Sequence, residues 1–213
     1  MSTAGGTAAG RPILPRSLRR PSGYLAGAAV LIFAVLAHRY RGGSTARWLD
    51  NEAQELVAAA GLQSAFWDGV IEFGDTWSVV VLAVLLGVIA AFLGHRRIAL
   101  LALVGPGLTG AATSGLKPLI GRTMEGDFAF PSGHTGGATA LGMVAVLLLV
   151  SVLRPADRTS AALLAVGTSL SGGTMALALV ADEEHYLTDT IGGFCIAVAI
   201  VIASALVIER WTH

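Results

Sequence analysis

The residues best suited to chemistry lie in one polar stretch, from Lys117 to His134, between two strongly apolar segments. Lys117 is the only lysine in the chain, and Arg122 follows shortly after it. Ser132 and Gly133 can offer a hydroxyl and an unobstructed backbone N–H where a new helix begins, which suits an anion. His134 can gain or lose a proton near neutral pH. The stretch therefore predicts a phosphate site containing an acid, in a loop at a membrane surface.

A second set of chemically capable residues consists of His185 and Asp189, four positions apart and therefore on one face of a helix. Asp189 can accept the proton of one ring nitrogen and leave the other nitrogen free as a nucleophile. A lone histidine at a membrane border is often only an interfacial residue. A histidine supported by a carboxylate is stronger evidence, because ionisable groups at membrane depth usually mark functional sites.

The composition indicates the class of protein that must position these residues. Of 213 residues, 54% are apolar and 13% are charged, whereas soluble domains carry about 25% charged residues. Long apolar runs separated by short polar breaks predict a polytopic membrane protein. The formal net charge is zero, so charge points to no nucleic-acid partner. The single cysteine, Cys195, cannot form a disulfide within the chain.

Six apolar segments predict an all-α bundle of six transmembrane helices, because five are near the ~20 residues needed to cross a bilayer and the first could just span it with its flanks. The segments are Tyr24–Ala37, Trp77–Gly94, Ile98–Leu116, Thr135–Leu153, Ala161–Ala181 and Tyr186–Ile208. The first of them also fits a cleaved signal peptide, because it is short and follows a basic start. Residues 1–21 predict a disordered basic cytoplasmic tail, and residues 22–213 a single membrane domain.

Residues of about 44–75, between the first two spans, have a different pattern. Apolar and acidic residues alternate there at helical spacing, which predicts short amphipathic helices lying at the membrane interface. Trp48, Trp67 and Trp77 would then sit at the level of the lipid headgroups. An ordinary packed loop is the alternative interpretation of this segment.

The arginine distribution predicts the orientation. With a cytoplasmic tail, nine arginines lie in the inner segments and five lysines or arginines in the outer ones, which agrees with the positive-inside rule. Both site segments then face outside. Richness in alanine, glycine and arginine suggests a bacterial genome, so we expect a multi-pass protein of the bacterial plasma (inner) membrane that serves the cell envelope.

The chain resembles the type 2 phosphatidic acid phosphatase family, also called lipid phosphate phosphatases, which are six-helix membrane enzymes. The resemblance rests on three motifs in the family's order and covers about residues 44–208. The motifs are Lys117 with Arg122, then Pro131-Ser132-Gly133-His134, then His185 with Asp189.

This resemblance implies a role for each matching residue. His185 would attack phosphorus and become a phosphohistidine, His134 would protonate the leaving oxygen, and Asp189 would orient His185. The phosphoryl oxygens would be bound by a further set: Lys117, Arg122, Ser132 and the backbone of Gly133. Such a site needs in-line positioning and cations around the transferred group. The resemblance implies no metal and no cofactor.

Several positions depart from the family pattern. The first motif usually ends in Arg-Pro, where this chain has Met124 and Glu125. The third motif usually opens with Ser-Arg, where this chain has Ala178 and Leu179. The stretch Asp182-Glu183-Glu184 stands where neutral residues are common. These changes make the predicted site less basic than is usual in the family.

The function that follows is a membrane phosphatase acting on a lipid phosphate or diphosphate at the outer face. Polyprenyl (di)phosphate, phosphatidate and phosphatidylglycerol phosphate are all candidate substrates, and the oligomeric state is left open. One alternative is a catalytically lapsed relative that binds or flips an anionic lipid. Another is a metal-dependent membrane hydrolase with mixed nitrogen and oxygen ligands, namely His134, His185, Asp189 and the carboxylates of residues 182–184.

Overall fold

A computed structural model describes residues 12–62 and 66–211. This part of the chain is mainly helical, with a 3-10 turn at Arg16–Leu18 before the first α-helix. The helices are α1 (Arg19–Tyr40), α2 (Trp48–Ala59), α3 (Phe66–Glu72), α4 (Thr76–Phe92), α5 (Arg96–Ile120), α6 (Gly133–Leu153), α7 (Asp157–Ala181) and α8 (Leu187–Trp211). Two short strands, β1 (Thr123–Met124) and β2 (Asp127–Phe128), form an antiparallel hairpin between α5 and α6.

The long helices account for the predicted membrane spans. Within the described residues, α1, α5, α6, α7 and α8 are long and apolar enough to cross a membrane. A sixth span is obtained if α3 and α4, which meet at a bend of 62°, are counted together. The predicted all-α membrane bundle is confirmed, with five spans or six, and the small β-hairpin is an addition to it.

Helix α8 is the centre of the bundle and contacts α1, α5, α6 and α7. Its inward face carries small and branched apolar side chains, which include Ala197, Val198, Val201, Ile202 and Ala205. Small residues let neighbouring helix backbones approach closely in a membrane protein. The site residues at the start of α8 are therefore held on the most enclosed helix of the bundle.

The N-terminal region differs from the prediction of a disordered tail up to residue 21. Ile13 and Leu14 are buried, and the backbone N–H of Leu14 donates a 2.9 Å hydrogen bond to Oε1 of Glu209. Arg19 begins α1 and places its Nε 2.9 Å from Oε2 of the same carboxylate. The ordered part of the chain begins before residue 21 because the carboxylate of Glu209, near the end of α8, accepts these contacts. No local sequence pattern reveals such a partner. The remainder of the predicted tail, residues 1–11, lies outside the described residues.

The two short helices predicted between the first two spans are α2 and α3. Helix α3 packs on α7, where Ile71 contacts a cluster that includes Met175 and Leu179. Trp48 and Trp77 are exposed, as expected for side chains that face lipid headgroups. Helix α2 contacts both α7 and α8.

Lys117 was predicted in a loop, but it lies in the last turn of α5. The helix continues past the predicted end at Leu116, and Pro118 is accommodated within its final turn. Gly121 ends the helix instead, because its positive φ of 71° lets its N–H bond back to the carbonyl of Lys117 at 2.9 Å. The ammonium is therefore carried by a rigid helix.

Candidate active site

The two predicted site segments meet at one end of the bundle, where α6 and α8 begin. The backbone N–H of Ser132 donates a 3.0 Å hydrogen bond to the carbonyl oxygen of Asp189. Gly193 makes this approach possible, since a Cβ there would lie 2.2 Å from the carbonyl oxygen of Ser132. A Cβ at Gly192 would similarly lie 2.6 Å from the ring of Phe130. The segment that leads to His134 therefore packs directly against two successive glycines of α8.

His185 and Asp189 form the buried half of the site. Nδ1 of His185 lies 3.7 Å from Oδ2 of Asp189, which is within ion-pair reach but beyond a hydrogen bond. The same carboxylate oxygen accepts a hydrogen bond from the backbone N–H of Tyr186 at 3.2 Å. Asp189 is thus fixed by the turn that begins α8. A small movement of the imidazole would bring Nδ1 to the carboxylate.

Arg122 is completely buried beside this pair. One terminal nitrogen donates to Oδ1 of Asp189 at 2.5 Å and to Oγ1 of Thr188 at 2.6 Å. The other donates to Oδ2 of Asp50 at 2.7 Å. The guanidinium therefore bridges two buried carboxylates from α2 and α8.

Two tyrosine rings enclose the same guanidinium. Its central carbon lies 4.2 Å from the ring centroid of Tyr40 and 4.4 Å from that of Tyr186. Both distances are within cation–π range. Arg122 was predicted to bind phosphoryl oxygens, whereas the structure places it behind Asp189 with both terminal nitrogens on protein acceptors. The difference arises because Asp50, which sequence analysis did not single out, comes close only in the folded chain.

Asp50 is a site-supporting residue that the sequence did not reveal. Its Oδ1 accepts from the backbone N–H of Thr188 at 3.0 Å and from its hydroxyl at 2.7 Å. A carboxylate at this N–H group caps the start of α8 and offsets the positive end of its dipole. The only sequence signal is an acidic residue in the first turn of α2, and such residues are common.

His134 belongs to a second histidine–carboxylate pair. Its Nε2 lies 3.0 Å from Oδ1 of Asp75, and the two side chains are 29% and 58% exposed. Asp75 stands at the bend between α3 and α4, immediately before α4. It was not predicted as a site residue, because it precedes a membrane span and matches no motif. The pair forms the open half of the site.

A cavity of about 450 Å³ lies between α4, α5 and α6 and ends at His134. Its polar end carries Asp75, Ser114, Lys117, Gly133 and His134, whereas apolar residues such as Val80, Val84 and Leu103 line the remainder. Lys117 is the one lysine or arginine among the described lining residues. It also lies within electrostatic range of Asp189 and Asp127. The cavity therefore has a cationic end suited to an anion and apolar walls suited to a hydrocarbon chain.

Ser132 and Gly133 form the start of α6, as the motif predicts. The hydroxyl oxygen of Ser132 accepts hydrogen bonds from the backbone N–H of Thr135 at 3.3 Å and from its hydroxyl at 3.2 Å. This is N-cap geometry, and it leaves the hydroxyl hydrogen of Ser132 as a donor. Ser132 is fully buried, whereas Gly133 lines the cavity directly.

The remaining positions of interest lie away from the cavity. Asp182, Glu183 and Glu184 are exposed in the turn between α7 and α8. Leu179, at the position of a family arginine, is fully buried in the cluster between α3 and α7. No group of three His, Cys, Asp or Glu side chains within the described residues is placed to hold a metal ion. The ligand set of the metal-dependent alternative is therefore not assembled there.

These features define a class: a polytopic α-helical membrane protein with a polar site, built around two histidines, at one end of its bundle. The model of the PAP2 superfamily matches residues 107–213, and the chain belongs to that superfamily. The fold is also similar to the crystal structure of a transmembrane PAP2-type phosphatidylglycerolphosphate phosphatase from Bacillus subtilis. The TM-score is 0.70 with 21% identity, covering 88% of this chain and 97% of that chain. No curated protein matches the chain in sequence.

Proposed function

We propose that this protein is a membrane phosphatase that removes phosphate from a lipid phosphate or diphosphate through a phosphohistidine on His185. The observation that carries the proposal is the pairing of two histidines with carboxylates at one end of the bundle, where His134 lines a cavity with a cationic end. Nδ1 of His185 faces Asp189 at 3.7 Å, and Nε2 of His134 faces Asp75 at 3.0 Å. Superfamily membership supports the same chemistry.

In the first step, Nε2 of His185 attacks phosphorus while Asp189 holds the proton on Nδ1. The bond between phosphorus and the leaving oxygen breaks, and its electron pair goes to that oxygen. His134 donates a proton to the leaving oxygen, which departs as the lipid alcohol, or as the lipid monophosphate when a diphosphate is cleaved. In-line phosphoryl transfer needs a nucleophile on one side of phosphorus and an acid on the other, and the proposal gives these places to His185 and His134.

The transferred group needs positive charge and hydrogen-bond donors around its other oxygens. Lys117 provides the fixed charge from the last turn of α5. The backbone at Gly133 and the hydroxyl of Ser132 provide donors at the start of α6, where the helix dipole also favours an anion. Arg122 contributes indirectly by holding Asp189.

In the second step, water attacks the phosphohistidine. His134, which has given up its proton, accepts a proton from this water as the new oxygen–phosphorus bond forms. The bond between phosphorus and His185 breaks, inorganic phosphate leaves, and both histidines return to their initial states. The exposure of His134 is consistent with this use of water.

The substrate class follows from the cavity. Its apolar walls between α4 and α5 suit a lipid chain, and its polar end suits the phosphate. Polyprenyl (di)phosphate, phosphatidate and phosphatidylglycerol phosphate all combine these features, and the last is named for the B. subtilis protein of similar fold. The arginine distribution supports a site on the extracytoplasmic side of a bacterial plasma membrane.

The test is phosphate release by the purified protein in detergent from a panel of these lipids, with and without chelator. We expect turnover of at least one lipid in both conditions, and none by His185→Ala. Acid-labile labelling from a phosphate-labelled lipid should disappear in the same variant. His38→Ala is the matched control, because His38 is an exposed histidine of α1.

Three other results would contradict parts of the proposal. Binding of the lipids without turnover of any of them indicates the lapsed relative. Activity that chelator removes and added metal restores indicates the metal-dependent hydrolase. Near-normal turnover by His185→Ala excludes the phosphohistidine.

A further inference from the structure

The geometry points to Asp75 as the residue that positions His134 for proton donation to the leaving oxygen. This inference rests on the proposed function and adds a residue that no matched motif contains. Oδ1 of Asp75 lies 3.0 Å from Nε2 of His134, and both side chains line the polar end of the cavity. The contact becomes an ion pair when the imidazole is protonated.

The position of Asp75 in its own helix indicates where its carboxylate is used. Asp75 is the N-cap residue of α4, and aspartate at an N-cap usually accepts a hydrogen bond from a backbone N–H of the first turn. Its side chain makes no such bond. Its main-chain carbonyl oxygen accepts the first hydrogen bond of the helix, from the N–H of Val79 at 2.8 Å, but its carboxylate takes no part in the helix start. The carboxylate is directed to His134.

The bend that carries Asp75 is fixed against His134 by close packing. A Cβ on Gly74 would lie 2.9 Å from Cβ of His134 and 2.8 Å from the terminal methyl of Met175. Met175 in turn belongs to the cluster that holds Ile71 of α3 on α7. The backbone next to Asp75 thus touches the residue that its side chain binds, so the carboxylate approaches the ring in a defined direction.

This arrangement assigns different roles to the two ring nitrogens. Nε2 of His134 is held by Asp75, so Nδ1 is the nitrogen that remains to transfer a proton. In the first step, the proton on Nδ1 moves to the leaving oxygen as that oxygen takes the electron pair of the breaking bond to phosphorus. In the second step, Nδ1 takes a proton from the attacking water. Asp75 keeps its hydrogen bond to Nε2 throughout, and its carboxylate neither gains nor loses a proton.

The two histidine–carboxylate pairs differ in exposure, in keeping with these roles. His185 and Asp189 are 9% and 0% exposed, whereas His134 and Asp75 are 29% and 58% exposed. A nucleophile benefits from exclusion of water, since water would compete for the phosphorus. An acid that is reprotonated in every cycle needs contact with water.

The opposite role for Asp75 makes an opposite prediction. If the carboxylate only occupied the position that the leaving oxygen takes, substrate would have to displace it. Removing its charge would then leave turnover unchanged or increase it. The sign of the change in kcat therefore separates a positioning residue from a competitor.

The test compares Asp75→Asn with wild type on two substrates in detergent, dioctanoyl phosphatidate and 4-nitrophenyl phosphate. The first has an alcohol leaving group that must be protonated, whereas the second leaves as a stabilised phenolate. General acid catalysis contributes about 10²–10⁴-fold, so we expect kcat to fall by roughly tenfold or more for phosphatidate. For the aryl phosphate it should fall by less than about threefold. Asp68→Asn is the control, because Asp68 is an exposed carboxylate of the neighbouring helix α3.

A double variant adds a second measurement. In a His134→Ala background, Asp75→Asn should cause no further loss with phosphatidate, because the group on which it acts is absent. Equal losses on both substrates, or an additional loss in that background, would show a structural role and overturn the inference. Unchanged or increased kcat would show a competitor. If wild type hydrolyses another lipid of the panel but not phosphatidate, that lipid takes its place in the comparison. If wild type hydrolyses none of them, the proposed function falls together with the inference, whereas the other outcomes concern Asp75 alone.

Discussion

Arg122 donates a 2.5 Å hydrogen bond to Oδ1 of Asp189, and neither side chain is exposed. Asp189 in turn faces His185, so Arg122 acts on the proposed nucleophile through Asp189 and not by direct contact. The second terminal nitrogen of Arg122 binds Asp50, 72 positions away in the sequence. One guanidinium thus connects helix α2, the segment after α5 and the start of α8.

This network should be essential to stability. Replacing one member of a buried ion pair leaves an uncompensated charge, at a cost of about 3–5 kcal/mol. We expect Arg122→Ala to lower the melting temperature in detergent markedly and to lower turnover by more than about tenfold. Arg122→Lys should restore little, because a point ammonium cannot span two carboxylates. Arg158→Ala, at an exposed position of α7, is the control.

A double-mutant cycle tests the same network more specifically. Asp50→Asn and Arg122→Gln should each destabilise the protein, but together by less than the sum of their effects, because each change removes the partner of the other. Unfolding in detergent provides the free energies. Additive effects, or an Arg122→Ala variant that unfolds like wild type, would show that the buried contact contributes little.

Lys117 should carry most of the fixed charge for anion binding. A hydrogen bond to a charged group is worth about 1.5–3 kcal/mol, so Lys117→Ala should weaken inhibition by vanadate by at least about tenfold. Lys117→Gln should behave similarly, since it also removes the charge. Arg39→Ala is the control, because Arg39 is exposed near the same end of the bundle, at the end of α1. Vanadate inhibition that is the same in all four proteins would mean that the anion binds elsewhere.

Gly193 should tolerate no side chain. A Cβ there would lie 2.2 Å from the carbonyl oxygen of Ser132, so Gly193→Ala must displace the start of α6 or the start of α8. Overpacking typically costs about 1–3 kcal/mol, and displacement of His134 relative to His185 should lower kcat as well. Gly173→Ala is the matched control in α7, where a Cβ would meet no atom within 4 Å. Equal activity and stability of the two variants would contradict the close packing.

The orientation in the membrane can be tested by labelling single introduced cysteines in intact cells. Ser44, Asp127 and Asp157 are all exposed, the first two at the site end of the bundle and the third at the opposite end. Cysteine at Ser44 or Asp127 should react with an impermeant thiol reagent, whereas cysteine at Asp157 should not. The native Cys195 is buried, so the unmodified chain provides the background. The reverse pattern would place the site in the cytoplasm.

The helices could be predicted because hydrophobicity is a local signal. Each predicted span lies within or close to one observed helix. The errors concern ends and flanks. The final turn of α5 was missed because the apolar run ends at Leu116, although Gly121 is the residue that ends the helix. The order in residues 12–21 was missed because it depends on Glu209, at the far end of the chain.

The site was predicted only as far as motif order allows. The sequence brought together His134, His185 and Asp189 as candidate residues, and the structure places all three at one end of the bundle. It assigned Arg122 to the phosphoryl oxygens, because an arginine near a phosphate motif suits an anion as well as a carboxylate. It also gave no weight to Asp50 or Asp75, since acidic residues are ordinary in an interfacial segment.

The sequence by itself determined the membrane class, the approximate spans, and the kinds of chemical group available, because these follow from composition and local periodicity. Tertiary structure alone decided which carboxylate serves which partner. Asp75 meets His134 across 59 positions, and Asp50 meets Thr188 across 138. Such pairings depend on how helices cross and on where glycines let backbones approach, and neither is contained in the spacing of residues along one segment.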